Sequence, residues 1–190
     1  KDCNLAIKES GGDLDKAIEI LRVKGISKAS KKMSRDAKEG VVAISGDEKK
    51  TSIIEVNCET DFVANNETFT QLGKTIADAI LSNNPDSLEA AQLIEVNGSK
   101  LRELVSDAIL QLGENIVLGQ FKVFSTSGSF ANYDHTNGKI GVIVEFSNTV
   151  DSDTGRDIAM QVAAMNPPYV SSDQVPSQDL DNESDILRKQ

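Results

Sequence analysis

A cysteine, a histidine and an aspartate are the residues of this 190-residue chain that could form a nucleophilic site. Cys58 would be the nucleophile, His135 its base and Asp61 the residue that orients the base, because a thiol needs such partners to attack a carbonyl. No local motif surrounds them, and Cys58 at the end of an apolar run is typical of a small buried side chain. We therefore expect no catalytic residues; a thiol enzyme is the alternative that ready alkylation of Cys58 would support.

Metal and nucleotide sites have no better support in the sequence. The chain has one His and two Cys, Cys3 and Cys58, and its carboxylates show no ligand spacing. It contains neither a Gly-rich loop followed by Lys-Ser or Lys-Thr nor a Gly-x-Gly-x-x-Gly motif. We expect no bound metal and no cofactor.

The charge distribution separates a basic beginning from an acidic body. Residues 1–50 carry 12 Lys and Arg against 9 Asp and Glu, a balance of +3, and residues 51–190 carry 8 against 21, or −13. The acidic body disfavours nucleic acid as a direct partner. The basic segment 24–38 is either a solvated linker or a surface for an acidic protein. The sequence contains no run of 18 apolar residues, so it predicts no membrane-spanning helix. Two cysteines far apart in sequence are typical of a protein in a reducing compartment.

The stretch 55–66 places an aromatic side chain among turn-forming residues. A β-rich run ends at Cys58, Phe62 follows Thr60 and Asp61, and Asn66 is of the type that caps a helix. Phe62 either folds back under its own loop, since burying a Phe is worth about 1.5–3 kcal/mol, or is presented to a partner. The residue alone leaves both open.

Helical periodicity opens the chain. Residues 2–9 and 13–25 predict two short amphipathic helices separated by Gly11-Gly12, with Asp13 as the cap of the second and Gly25 as its end. The apolar stripe of the second helix consists of Leu14, Ala17, Ile18 and Leu21. Two short helices bury little between them, so we expect a third helical partner and a chain that is incomplete at its N-terminus.

The remaining pattern alternates strands and helices. Strands are predicted over 40–45, 51–58, 116–125 and 140–146, with an Asn137-Gly138 hairpin turn before the last. Helices are predicted over 66–83, 86–94, 99–112 and 156–165. A strand, a helix and an Asn-Pro stop occur twice in the same order, over 53–57, 73–77 and 84–85 and again over 143–147, 155–159 and 166–167. This repeat, with a small-residue connection at 125–129, indicates two related α+β units.

Two motifs and the beginning of the chain resemble one family. Thr60-Asp61-Phe62-Val63-Ala64 resembles the signature of elongation factor Ts, which releases GDP from elongation factor Tu. Leu112-Gly113-Glu114-Asn115-Ile116 is similar to that family's Ile-Gly-Glu-Asn-Ile run. Asp2-Cys3 and the Gly-Gly-Asp turn resemble its opening ubiquitin-associated-like helical domain.

The resemblance implies an α+β fold, with an N-terminal ubiquitin-associated-like helical piece followed by two related lobes. Each lobe would be a small antiparallel sheet with packed helices. The domains would be 1–33 for the helical piece and basic linker, 34–127 for the N-terminal lobe and 128–190 for a C-terminal lobe that is incomplete at its end.

The resemblance also implies a function and a set of contacts. The chain would be a guanine-nucleotide exchange factor, not an enzyme, that binds elongation factor Tu in its GDP-bound and nucleotide-free states. Asp61 and Phe62 would reach the partner's nucleotide domain beside its Mg²⁺ site. The implied partner-binding residues are Asn4, Thr60, Asp61, Phe62, Val63, Leu112, Gly113 and His135. Asn4 stands where the family has a Lys, so that contact belongs to Asn4 or to a neighbour such as Lys8; His135 is otherwise an ordinary loop residue before a turn.

Localisation and assembly follow from the same resemblance. It implies the cytoplasm of a bacterium, or a mitochondrion or plastid in a eukaryote, with no direct contact to nucleic acid or membrane. It leaves open a homodimer made through a C-terminal region beyond this chain. The alternative from another class is a non-catalytic scaffold that binds its partner through residues 1–25.

Overall fold

The computed structural model describes residues 2–136 and 138–189. The fold combines helices with small antiparallel sheets, as expected from the alternating pattern. The elements in chain order are α1 (Asp2–Glu9), α2 (Leu14–Ser30), β1 (Glu39–Gly46), β2 (Lys50–Cys58), α3 (Asp61–Ala64), α4 (Glu67–Asn83), α5 (Leu88–Gln92), β3 (Glu95–Val96), β4 (Ser99–Lys100), α6 (Leu101–Leu112), β5 (Ile116–Ser125), β6 (Ser129–Asp134), β7 (Gly141–Phe146), α7 (Ser152–Met165) and α8 (Ser177–Lys189).

The main core lies between a three-stranded sheet and two helices. The sheet has the order β1-β2-β5, and both pairings are antiparallel. Helix α4 packs across β1 and β2, and α6 packs on β5 and α4. Phe69, Ile76 and Ile80 of the predicted α4 stripe are fully buried. Strand β2 ends at Cys58 against this core, so the loop that follows it begins from a fixed point.

A second sheet lies beside the free edge of β1. Strands β6 and β7 pair antiparallel, and α7 packs on both. The backbone N–H of Val42 donates a 2.7 Å hydrogen bond to the carbonyl of Gly138, in the turn between the two strands. Asn137 of the predicted Asn-Gly turn lies outside the described residues. Gly138 therefore lies against the first sheet.

The repeated Asn-Pro stops have the same local structure. Asn84 and Asn166 both adopt the left-handed conformation, with φ of 45° and 44°, and end α4 and α7. A glycine in each helix faces the first strand of the preceding hairpin: a Cβ at Gly73 would lie 3.4 Å from Val41, and one at Gly155 would lie 2.9 Å from Ala131. Each helix can thus approach its sheet closely.

The predicted end of α2 at Gly25 is wrong. The helix continues to Ser30, and Gly25 lies against α6, where a Cβ would come within 2.9 Å of the Leu110 side chain. The glycine provides close helix packing instead of a stop. The predicted stripe is also wrong in part, because Leu14 and Ile18 are 68% and 62% exposed while Ala17 is buried.

The beginning of α6 and the end of the chain also differ from the predicted pattern. Ser99 does not begin α6 but pairs with Val96 in a two-residue ladder before Leu101 opens the helix. The weakly patterned tail forms α8, which has no buried residue. Over the residues described, no helix combines the length and the apolar character that crossing a membrane requires.

Candidate partner-binding site

Helix α3 is a single turn that presents an aromatic ring to solvent. Thr60 caps it, because its Oγ1 accepts a 3.4 Å hydrogen bond from the N–H of Val63. Val63 and Ala64 are buried, whereas Asp61 is exposed and Phe62 is 84% exposed. The interpretation in which Phe62 folds back under its loop is therefore wrong. The turn buries one side and holds Asp61 and Phe62 outward.

The carboxylate of Glu114 holds the loop that leads into α3. One oxygen accepts hydrogen bonds from the N–H groups of Glu59 at 3.1 Å and Thr60 at 3.0 Å. The other accepts from the Thr60 hydroxyl at 2.6 Å. A hydrogen bond to a charged acceptor contributes about 1.5–3 kcal/mol, roughly twice a neutral one. Glu114 thus connects the second motif to the first.

Gly113 directs Glu114 towards this loop. It ends α6 in the left-handed conformation with a φ of 83°, which confirms the predicted helix end. Its carbonyl accepts a 2.6 Å hydrogen bond from the ammonium group of Lys32. Leu112 is half-buried and packs against the core, while Gly113 is exposed. The turn therefore has a rigid apolar side and an accessible backbone.

Asn115 joins three segments below the site. Its N–H donates a 2.6 Å hydrogen bond to the Glu59 carboxylate, and its Nδ2 donates to the carbonyl of Arg35 at 2.7 Å. Arg35 also pairs with Glu59 at 3.4 Å. The Asn115 side chain is only 1% exposed. The segment after α2, the loop before α3 and the turn after α6 consequently form one hydrogen-bonded unit.

The roles of Glu59, Glu114 and Asn115 were missed by the sequence reasoning. Glu59 precedes the first motif, and the other two lie within the second. The available signal was that both segments carry acidic side chains next to turns whose N–H groups need acceptors. Sequence spacing does not show that residues 56 positions apart meet.

Cys58 lacks the character of an activated nucleophile. It is fully buried, and its thiol donates to the carbonyl of Thr60 at 3.2 Å. Burial, and after it the negative charge of Glu114, raises the pKa of Cys58 to about 11. The reactive form of a cysteine is the thiolate, which is scarce at neutral pH when the pKa is this high. This environment favours a structural role for Cys58.

His135 belongs to the turn between β6 and β7. It is half-buried, and its Nδ1 lies 2.9 Å from the hydroxyl of Tyr133. Its backbone N–H donates to the carbonyl of Ile140 at 2.9 Å. The hydrogen bond to Glu39, the charge of Glu39 and the charge of Asp61 raise the pKa of Lys139 in the same turn. The turn that carries His135 thus lies within electrostatic reach of α3.

The structure brings most, but not all, of the predicted contact residues together. Thr60 is hydrogen bonded to Glu114, which directly follows Leu112 and Gly113, and Lys139 in the His135 turn lies within electrostatic reach of Asp61. Asn4 lies elsewhere, exposed on α1, as does Lys8. In the described part of the chain no group of three or more His, Cys, Asp or Glu could hold a metal ion. The arrangement can offer an apolar ring and a carboxylate to another protein.

Comparison with protein families gives a match that covers most of the chain. The family model described as Elongation factor TS matches residues 59–190, which is more than half of the 190 residues. The match begins at Glu59 in the loop before α3. It therefore includes both motifs and the turn of His135.

Proposed function

Because the chain belongs to the elongation factor Ts family, we propose that it is a guanine-nucleotide exchange factor that binds elongation factor Tu with GDP and speeds GDP release during translation elongation. The observation that carries this proposal is the exposure of Phe62, at 84%, on a turn held by charged hydrogen bonds. A large apolar ring in water gains free energy when a partner buries it, about 1.5–3 kcal/mol.

The proposed mechanism is competition between two ligands for one partner. Phe62 and Asp61 enter elongation factor Tu near its Mg²⁺ and nucleotide site, which disturbs the groups that hold GDP. The factor must bind the nucleotide-free partner more tightly than the GDP complex, and GDP must weaken the factor by the same ratio. No covalent bond is formed, so the chain acts as a binding protein and not as an enzyme.

A wider interface must accompany the ring. Each tenfold gain in the rate of GDP release needs about 1.4 kcal/mol of barrier lowering, so one buried aromatic ring cannot supply several such factors alone and a broad interface must position it. The exposed turn of Gly113, the turn of His135 and the helices α1 and α2, with Asn4, are the surfaces proposed to orient Phe62. Their accessibility supports this role.

The proposed domain organisation follows the family. A ubiquitin-associated-like piece over 1–33 precedes an N-terminal lobe over 34–127 and a C-terminal lobe over 128–190. The matching hairpin, helix glycine and left-handed Asn in the two halves support two related lobes. In keeping with a role in translation, the proposed compartment is bacterial cytoplasm or a mitochondrial or plastid matrix, and a homodimer stays a prediction.

Release of a fluorescent GDP analogue tests the function. Elongation factor Tu loaded with the analogue is mixed with excess unlabelled GDP, with and without this protein, and the fluorescence decay is followed. We expect the decay to become faster with the concentration of the protein until it saturates. A decay equal to that of elongation factor Tu alone, with binding still detected by sedimentation, would contradict exchange activity.

A scaffold is the second candidate, and one observation favours it. Leu14 and Ile18 of α2 are large apolar residues that remain mostly exposed, and an exposed apolar patch is typical of a binding surface. A scaffold would bind its partner through α1 and α2 without changing the rate of GDP release. The same assay therefore separates the two functions.

A further inference from the structure

The position of Phe62 cannot be set by its own helix. Helix α3 has four residues. An isolated helix of that length is unstable in water, because ordering the first turn costs more free energy than its hydrogen bonds contribute. The ring itself is 84% exposed and gains little from packing. The orientation of the ring is therefore fixed by what holds α3, namely the burial of Val63 and Ala64 on its inner side and the hydrogen bonds at its beginning.

Glu114 holds that beginning more completely than any other side chain with a described contact there. It accepts from Glu59 N–H, Thr60 N–H and the Thr60 hydroxyl, at 3.1, 3.0 and 2.6 Å. A carboxylate suits three donors because it only accepts and has about four lone-pair positions. These bonds fix the residue that caps α3, one position before Asp61 and two before Phe62.

The frame that carries Glu114 is itself fixed on both sides. Gly113 before it ends α6 with a φ of 83°. Asn115 after it is 1% exposed and donates to Glu59 and to the carbonyl of Arg35. Because both of its neighbours are anchored, Glu114 ties the position of the loop to that of α6. A side chain on a mobile segment would not do so.

We propose that Glu114 is a positioning residue for nucleotide exchange, which sets the orientation of Phe62 through Thr60 without touching the partner. The proposal rests on the proposed function. It goes beyond stabilisation, because it assigns to Glu114 an effect on the maximal rate of GDP release at saturating factor. A residue that contributed only to contact with the partner would change the half-saturating concentration instead.

Two substitutions at this position test the proposal. Glu114→Ala leaves two N–H groups and a hydroxyl without their acceptor, and we expect the maximal rate of GDP release to fall by about tenfold or more. The half-saturating concentration should change by no more than about threefold. Glu114→Gln keeps the length and one acceptor oxygen, and the Thr60 hydroxyl can accept from the new amide. We expect it to retain the maximal rate to within about threefold.

Asp47→Ala is the matched control. Asp47 accepts from the N–H groups of Lys49 at 2.7 Å and Lys50 at 2.9 Å, so its removal also takes a carboxylate from two backbone donors. It lies at the opposite end of the β1–β2 hairpin, where Gly46 pairs with Thr51, while Cys58 pairs with Glu39 near α3. We expect a loss of thermal stability similar to that of Glu114→Ala and an unchanged maximal rate.

A double variant decides whether the effect passes through Phe62. If Glu114 acts only by orienting the ring, Glu114→Ala adds no further slowing to Phe62→Ala, whereas independent effects would multiply. Should Glu114→Ala fail to fold by circular dichroism, Thr60→Val removes the hydroxyl, which donates to Glu114 and also accepts from the Val63 N–H, and keeps both N–H bonds to Glu114. That variant should slow the maximal rate by a smaller factor and be equally silent in the Phe62→Ala background.

The possible failures are distinguishable. A wild-type protein that does not accelerate GDP release overturns the proposed function, and this proposal with it. Normal wild-type activity together with a folded Glu114→Ala variant at the wild-type maximal rate overturns only the positioning role. Multiplying effects in the double variant overturn it as well, because Glu114 would then act on exchange by another route.

Discussion

The backbone N–H of Asn115 donates a 2.6 Å hydrogen bond to the carboxylate of Glu59, across 56 positions of sequence. The neighbouring Glu114 makes a second connection between the same segments, because its carboxylate accepts hydrogen bonds from the N–H and the hydroxyl of Thr60. The loop before Phe62 and the turn after α6 therefore hold each other through side chains from both sides. A change in the loop should therefore alter the turn, and a change in the turn should alter the loop, beyond any effect on general stability.

Replacing Phe62 by Ala should slow exchange and leave the fold intact. The ring is 84% exposed, so its removal should change the free energy of unfolding by no more than about 0.5 kcal/mol. The loss of a ring that is buried only in the complex should slow GDP release by about tenfold or more. Urea unfolding and the fluorescent GDP assay measure the two effects.

Val170→Ala is the control for Phe62→Ala. Val170 is an apolar side chain that is 94% exposed, and it lies after α7, far along the chain from α3. We expect Val170→Ala to change neither the free energy of unfolding nor the rate of GDP release. Unaltered exchange by a folded Phe62→Ala protein would remove Phe62 from the mechanism.

Gly113→Ala and Gly98→Ala form a pair with equal strain and different position. Both glycines have positive φ, 83° and 81°. A Cβ added at either position would come no closer than 3.8 Å to a heavy atom beyond its chain neighbours. An Ala there should cost about 1–2 kcal/mol of stability in each case, because a Cβ in the left-handed region meets its own carbonyl. Only Gly113→Ala adds this strain next to Glu114, so we expect only it to lower the maximal rate of GDP release.

Thermal unfolding and the exchange assay together check this pair. Two variants with similar losses of stability and different exchange rates are expected. Equal exchange rates would show that strain at Gly113 does not reach α3, and the connection through Glu114 would then be too soft to matter.

The sequence predicted the local elements well because their signals are local. The α4 stripe of Phe69, Ile76 and Ile80 is fully buried, and Gly113 ends α6 in the left-handed conformation. Exposure of Phe62 followed from the family resemblance and not from the residue, whose hydrophobicity alone favours burial. Recognition of a motif supplied what propensity could not.

The parts that were missed depend on contacts between distant segments. Gly25 has the sequence character of a helix end, yet it lies inside α2. The Leu110 side chain of α6 packs into the space that a Cβ at this position would occupy. Glu59 and Asn115 have no periodicity that connects them. Such contacts are set by how α2, the sheet and α6 pack, which a reading of adjacent residues does not contain.

Alkylation should distinguish the two cysteines. Cys3 is exposed and Cys58 is buried, both as free thiols. The pKa of Cys58 is raised to about 11, so at pH 8 only about one thiol in a thousand is ionised, and it is out of contact with solvent. We expect iodoacetamide to label Cys3 in the folded protein and Cys58 only after unfolding. Rapid labelling of Cys58 in the folded state would reopen the thiol-enzyme alternative.

The same pKa predicts how stability depends on pH. The folded thiol binds its proton more tightly than the unfolded one, with a pKa of about 11 against an ordinary 9.0. Above pH 9 the unfolded state releases this proton first, so the contribution is complete below pH 9 and is lost as pH rises through 11. The free energy of unfolding should fall by up to about 2–3 kcal/mol relative to a Cys58→Ala variant over this range. Parallel pH profiles of the two proteins in urea would contradict the raised pKa.

The double variant Leu14→Ser, Ile18→Ser tests what α2 contributes. Both side chains are mostly exposed, at 68% and 62%, so the fold should lose little stability. If α1 and α2 orient the factor on its partner, the half-saturating concentration for GDP release should rise by about thirtyfold, since two apolar contacts of roughly 1 kcal/mol each would be lost. The maximal rate should stay within about twofold, because Phe62 still reaches its site at saturation. A scaffold would lose binding in the same variant but would show no acceleration before or after the change. Equal titration curves for the variant and the wild type would place the interface of α2 elsewhere on the helix.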